Sequence, residues 1–158
     1  YGIANIGFHR ALAGSGFFPH YLDYLVGRFG DPAGADWQAY ELRFPVAHEP
    51  LVTDRARRHG LDKAWLFGLI RAESSFLTDA RSSAGALGLM QVMPGTGRRV
   101  AGDIGMRWSG SQSLLEAEDN VTIGSAYLAK LFKRYRGNRM LATAAYNAGE
   151  NAVDGLDW

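Results

Sequence analysis

Apolar residues recur at intervals of three and four along most of the chain, which is the spacing of one face of an α-helix. The clearest case covers residues 62–76, where Asp62 is an N-cap residue and Leu66, Leu69 and Ile70 share one face. Further helices are predicted over residues 51–59, 94–101, 119 or 120 to 135, and 139–148. No stretch alternates between apolar and polar residues as a half-buried strand does. The pattern predicts an all-α fold.

Glycine and proline interrupt the pattern before residue 51. Two groups of apolar residues in residues 1–42 are separated by Gly14-Ser15-Gly16 and Pro19, which predicts two short helices. Pro45 and Pro50 restrict the residues before them to extended backbone, so residues 42–50 are interpreted as a strap. We therefore expect a short helical segment over residues 1–42 and a second domain over residues 43–158.

Composition narrows the kind of partner and the chemistry. The formal net charge of +1 gives no electrostatic reason to bind nucleic acid. The chain has no cysteine and its four histidines are scattered, so we expect no metal site. No apolar run reaches the roughly 20 residues that span a bilayer, and no signal peptide is visible, although the first residue is Tyr1 and not Met.

One carboxylate breaks the apolar face of the central helix. Glu73 follows Leu66 by nearly two turns and stacks over Leu69 and Ile70, so its carboxyl group is expected to face the protein. A carboxylate that loses solvation holds its proton to higher pH, as a general acid requires. A solvent-exposed or salt-bridged Glu that simply continues the helix is the alternative interpretation.

Two motifs accompany this glutamate. A polar segment with several glycines, residues 82–94, follows the helix and is expected to fold back over its end. Near the end of the chain, Tyr146 and Asn147 offer a hydroxyl and an amide at the C-terminus of a helix rich in alanine. By itself this second motif is equally explained by a packed tyrosine and a C-capping asparagine.

Taken together, the chain resembles the SLT-type lytic transglycosylase catalytic domain, a goose-lysozyme-like family that cleaves bacterial peptidoglycan. The match covers residues 44–153, and Asn120, which we expect to position the helical core, belongs to it. Its three ordered motifs are Glu73-Ser74, Gly88-Leu89-Met90-Gln91-Val92-Met93-Pro94-Gly95-Thr96 and Ala145-Tyr146-Asn147-Ala148-Gly149. Because all three occur in the family's order, the resemblance is far more specific than any single motif.

The resemblance implies roles for named residues. Glu73 would be the single catalytic acid and base, and the hydroxyl group of Tyr146 would hold it. The Ala145 carbonyl group and Asn147 would contact sugar or close the cleft floor. The complete set of implied substrate-binding residues is Ser82, Gly88, Gln91, Met93, Ala145, Tyr146 and Asn147.

The resemblance also implies a reaction and a place. Glu73 would protonate the glycosidic oxygen and then accept the proton of the C6 hydroxyl of N-acetylmuramic acid, giving a 1,6-anhydro end without water or cofactor. The partner would be the peptidoglycan glycan strand, and the location the periplasm or cell envelope. Two alternatives remain open: a lysozyme-like hydrolase in which Asp79, Asp103 or Glu116 activates water, and a glycan-binding or assembly module without catalysis.

The chain departs from the family pattern in two places. Glu150 stands where a proline or glycine is common, and the chain stops at Trp158, where family members often continue, so we expect a C-terminally truncated domain. Residues 1–42 would correspond, by analogy, to the last helices of the superstructure that precedes the catalytic domain in large members.

Overall fold

The computed structural model describes residues 48–155. The predicted all-α class is confirmed there: no strand is formed, and the only sheet-like pairings are isolated bridges between Arg81 and Leu87 and between Leu87 and Val92. Residues 1–42 and most of the predicted strap lie outside the described residues. The helices are α1 (Glu49–His59), α2 (Lys63–Ser74), α3 (Pro94–Asp103), a 3-10 helix (Ser111–Leu115), α4 (Ala117–Arg134), α5 (Arg139–Ala148) and α6 (Glu150–Asp154).

Helix α4 is the centre around which the others pack. It contacts α1, α3, α5 and the 3-10 helix, because apolar or small residues occupy most of its circumference. Each large aliphatic side chain buried in this way stabilises the fold by about 1.5–3 kcal/mol. No helix among residues 48–155 has the length and apolar character to cross a lipid bilayer. The fully buried aliphatic side chains of α4 are Val121, Ile123, Leu128 and Leu131.

Several predicted helix ends are confirmed by their capping contacts. The Asp62 carboxylate accepts a hydrogen bond from the Trp65 N–H at 3.0 Å, at the start of α2. The Asn138 side chain accepts from the N–H groups of Met140 and Leu141 at the start of α5. Gly60 ends α1 with a φ of 62°, which lies in the left-handed region that favours glycine.

Other predicted boundaries are wrong by a few residues. Helix α2 ends at Ser74 and not at Phe76, because Ser75 and Phe76 both adopt positive φ angles, of 51° and 66°. Helix α4 begins at Ala117, so neither Asp119 nor Asn120 caps it. The predicted loop over residues 107–113 instead runs into the 3-10 helix.

Candidate active site

Glu73 lies in the last turn of α2, one residue before the helix ends, and its side chain is partly buried. Burial raises the pKa of its carboxyl group from 4.5 to about 7. Loss of solvation is the cause of this rise. The predicted rise in pKa is confirmed, and the group can hold a proton near neutral pH.

The chain reverses direction immediately after Glu73. The Ser75 N–H donates to the Arg71 carbonyl oxygen at 3.0 Å, which closes the last turn of α2. The rings of Phe67 and Phe76 then pack with their centroids 6.0 Å apart and hold the reversed segment against the helix. As a result, Glu73 lies at the helix end that the following loop approaches.

That loop, residues 80–92, is held together by its own hydrogen bonds and is called the Gly88 loop below. Leu87 and Val92 exchange two backbone hydrogen bonds of 3.0 Å each, and the Gly88 N–H donates to the Ala80 carbonyl at 2.8 Å. The Ser82 hydroxyl oxygen accepts from the Ala86 N–H at 2.9 Å. The implied sugar contact, Ser82, therefore also fixes the loop.

Gln91 and Met93 occupy the end of the Gly88 loop and the start of α3. The side-chain amide of Gln91 donates to the carbonyl oxygens of Gly88 and Ala80, at 2.9 and 3.2 Å. Met93 directly precedes α3 and is 43% exposed, although it is apolar. Gln91 is thus tied to the loop, whereas the Met93 side chain is available to a ligand.

Asn120 joins the Gly88 loop to α4. It is fully buried; its side-chain oxygen accepts from the Met90 N–H at 2.8 Å, and its amide donates to the carbonyls of Leu87 and Leu114 at 2.8 and 2.7 Å. Because the buried side chain joins the Gly88 loop and the 3-10 helix to α4 through three hydrogen bonds, the geometry agrees with the expected role of Asn120 in positioning the core. Gly88 is buried beside it, so this residue packs against Asn120.

The third motif meets the loop through Tyr146. Its hydroxyl group donates to the Met90 carbonyl oxygen at 2.8 Å and not to Glu73, where the resemblance placed it. Glu73 acts on Tyr146 through its charge: burial, then Glu73, then Tyr127 raise the pKa of the tyrosine well above its ordinary value. Glu73, the Met90 backbone and Tyr146 therefore form one cluster.

The neighbours of Tyr146 differ in their access to solvent. Ala145 is fully buried, and its carbonyl oxygen accepts the Gly149 N–H at 2.9 Å, at the end of α5. Asn147 is exposed. The carbonyl group that the resemblance placed at the cleft floor is thus already engaged within the helix, while the Asn147 amide can reach a ligand.

The sequence did not predict the contacts among Tyr127, Arg99 and Glu150, which adjoin this cluster. The rings of Tyr127 and Tyr146 lie 5.4 Å apart, and the Arg99 guanidinium group lies 5.6 Å from the Tyr127 ring centre. Arg99 in turn forms an ion pair with Glu150. Among these residues, only Glu150 stood out in the sequence, because it departs from the family pattern. The contacts themselves join residues that are distant in the chain.

The three acids considered for a hydrolytic mechanism are exposed to solvent. Asp103 forms an ion pair with Lys130 at 3.0 Å, and Asp79 and Glu116 are exposed. None of the three affects the pKa of Glu73. In the described part of the chain, no group of three histidine or acidic side chains is placed to hold a metal ion.

Comparison with known proteins gives consistent matches. Residues 50–155 match the family model described as the transglycosylase SLT domain. A soluble lytic murein transglycosylase of Salmonella typhimurium is 36% identical over 143 residues, which is 90% of this chain and 22% of the relative.

Two solved structures resemble the chain closely. An inactive mutant of the lytic transglycosylase Slt from Pseudomonas aeruginosa gives a TM-score of 0.75 at 34% identity, over 93% of this chain and 23% of that one. A 70-kDa soluble lytic transglycosylase in complex with bulgecin A gives 0.72 at 30% identity, over 92% and 24%. The chain thus spans less than a quarter of the length of these relatives. These likenesses confirm the predicted lysozyme-like helical fold, and the matched residues show that the chain belongs to the transglycosylase SLT domain family.

Proposed function

We propose that this chain carries the catalytic domain of a peptidoglycan lytic transglycosylase. It would cleave the β-1,4 bond between N-acetylmuramic acid and N-acetylglucosamine and leave a 1,6-anhydro end. The observation that supports this most directly is Glu73: a partly buried carboxyl group with a pKa of about 7, beside Tyr146. A group with this pKa can both donate and accept a proton near neutral pH.

Glu73 acts first as an acid and then as a base. Its proton goes to the glycosidic oxygen as the bond to C1 breaks, and the substrate's own N-acetyl group stabilises the positive charge at C1. The Glu73 carboxylate then accepts the proton of the C6 hydroxyl while that oxygen bonds to C1. Glu73 gives up one proton and then takes one back, so the reaction needs neither water nor a second carboxylate.

The surrounding residues would bind and orient the sugars. The side chains of Met93, just before α3, and Asn147, in α5, are both exposed, so both are available to line a substrate cleft. The loop geometry supports indirect roles for Ser82, Gly88 and Gln91, which fix the backbone near Glu73. Ala145 would support the packing beneath Tyr146.

The proposed domain organisation, location and partner accompany this function. We propose that residues 43–158 form the catalytic domain, that residues 1–42 form the end of a preceding helical superstructure, and that the protein acts in the periplasm or cell envelope. Peptidoglycan strands are the proposed partner. The relative whose structure contains bulgecin A supports a ligand site in this fold.

Product analysis tests the reaction directly. We expect mass spectrometry of murein digested by the full chain to show fragments with anhydro ends, which lack one water relative to reducing ends. Murein incubated without protein is the control. Reducing ends alone would establish the hydrolase, and glycan binding without any cleavage would establish the binding module.

The pH dependence of the rate follows from the same carboxyl group. The reaction begins with protonated Glu73, whose pKa is about 7. The rate should therefore be highest below pH 7 and fall about tenfold for each further pH unit above it. Initial rates measured between about pH 5 and 9 check this, and a rate that stays constant up to pH 9 would contradict it.

A further inference from the structure

Glu150 lies where three helices meet. It is the first residue of α6 and follows Gly149 directly. One carboxylate oxygen lies 3.7 Å from an Arg99 nitrogen on α3, and the other lies 3.5 Å from an Arg134 nitrogen on α4. Its side chain is only 20% exposed. One carboxylate therefore links α3, α4 and α6 at a largely desolvated position.

Contacts continue from this carboxylate to Glu73. Arg99 lies against the Tyr127 ring, which packs on the Tyr146 ring at 5.4 Å. Tyr146 in turn donates to the Met90 carbonyl and is close enough to Glu73 for the Glu73 charge to affect its pKa. Every step is a direct contact or an electrostatic effect between neighbours.

Glu150 supplies an anionic partner for Arg99. Arg99 is about half exposed, so without an anionic partner its long side chain gains freedom in solvent. An arginine over an aromatic ring contributes only about 0.5–1 kcal/mol at exposed sites, so the ion pair with Glu150 adds to the contacts of Arg99 with Tyr127. Burial, the charge of Glu150 and a hydrogen bond with Glu150 raise the pKa of the Tyr127 hydroxyl, whereas the charge of Arg99 and a hydrogen bond with Arg99 lower it. Glu150 and Arg99 therefore both lie beside this hydroxyl group.

We propose that Glu150 is a positioning residue for Glu73: it holds Arg99 against Tyr127, and the packed pair Tyr127 and Tyr146 then fixes the site. The inference rests on the proposed function. In this role Glu150 acts through other side chains and does not touch the substrate. Glu150, which departs from the family pattern, would thus help to position Glu73 without being part of the substrate cleft.

The test uses the full chain with Glu150→Gln, which keeps the shape of the side chain and removes its charge. We expect kcat for anhydro-product release to fall about fivefold, with KM changed less than about twofold. Glu150→Asp should recover part of the loss because the charge is restored. Lys130→Gln breaks a surface ion pair of the same helix α4 and should change neither value.

A double-mutant cycle distinguishes positioning from general weakening. If Glu150 acts through Arg99, then Glu150→Gln and Arg99→Gln should each cost about fivefold, and the double variant should cost about fivefold as well. Multiplication of the two losses, to about 25-fold, would overturn the proposal. An unchanged kcat in Glu150→Gln would overturn it too.

A second measurement needs no substrate. In protein with carbon-13-labelled tyrosine, the Tyr146 ring resonance, assigned with Tyr146→Phe, should shift in Glu150→Gln and in Arg99→Gln but not in Lys130→Gln. An unchanged resonance in Glu150→Gln would overturn the positioning role. If the unaltered chain released no product at all, the proposed function would fail, and this resonance would still decide whether Glu150 positions Tyr146.

Discussion

Replacing Glu73 by Gln is expected to lower the release of anhydro products by at least about a thousandfold. Gln has nearly the same shape, so it preserves packing at the end of α2, but it can neither donate a proton to the glycosidic oxygen nor accept one from the C6 hydroxyl. The loss is large because one residue supplies both proton transfers in the proposed reaction. Product release from purified murein, followed by mass spectrometry, measures it.

The same substitution should make the protein more stable at neutral pH. The pKa of Glu73 is higher in the folded state than its ordinary value, about 7 against 4.5. The stabilising effect of the protonated group is complete below pH 4.5 and is lost as pH rises through 7, by up to about 3 kcal/mol. Glu73→Gln removes this loss because it cannot ionise, and thermal unfolding at pH 5 and 8 would show it.

Asp103→Asn is the matched control for this prediction. Asp103 pairs with Lys130 on the surface, so the variant should keep its activity and most of its stability. Comparable activity in Glu73→Gln and the unaltered chain would remove Glu73 from the mechanism. A loss of stability in Glu73→Gln at pH 8 would contradict the account of its burial.

Replacing Gly88 by Ala is expected to destabilise the domain by about 4 kcal/mol or more. An added Cβ would lie 2.1 Å from the Leu114 carbonyl oxygen and 2.4 Å from the Asn120 side-chain nitrogen. Neither atom can move freely, since the first is backbone and the second is held by two hydrogen bonds. Urea unfolding monitored by circular dichroism measures the change in the free energy of unfolding.

Gly85→Ala separates packing from backbone strain. Gly85 lies in the same loop with a φ of 89°, but an added Cβ there would meet nothing within 4 Å. This variant should therefore cost only about 1–2 kcal/mol, the strain of a positive φ. If both variants were equally destabilised, close packing of Gly88 on Asn120 would not be the reason.

The sequence was sufficient where the determinants of structure are local. Asp62 and Asn138 were recognisable as helix starts because an N-cap satisfies backbone N–H groups only two or three residues away. Gly60 ended a helix for an equally local reason. The all-α class follows from the same short-range periodicity.

The errors occurred where local and long-range requirements compete. Asn120 has the chemistry of an N-cap, yet its side chain bonds to Leu87 and Met90, which are 33 and 30 residues away. Ser75 and Phe76 carry side chains that usually avoid positive φ, so nothing in their identity announced the end of α2. The packing of Phe76 on Phe67 accompanies that reversal, and it is visible only in three dimensions.

The candidate site was predictable in part for a similar reason. Glu73 was identified because it interrupts an apolar helix face, which is a local signal. The hydrogen bond from Tyr146 to Met90 spans 56 residues. Glu150 stood out in the sequence, but nothing near it indicated that its partner is Arg99. The motifs therefore identified the members of the site but not all the contacts among them.

The three hydrogen bonds of Asn120 also constrain the folding pathway. A segment of about 30 residues must close before the Gly88 loop meets α4, and this closure carries an entropic cost that helix formation does not. The bonds of Asn120 to Leu87 and Met90 can therefore form only when this segment has closed. In native-state hydrogen exchange, the Met90 amide and the first turn of α4 should open as one cooperative unit.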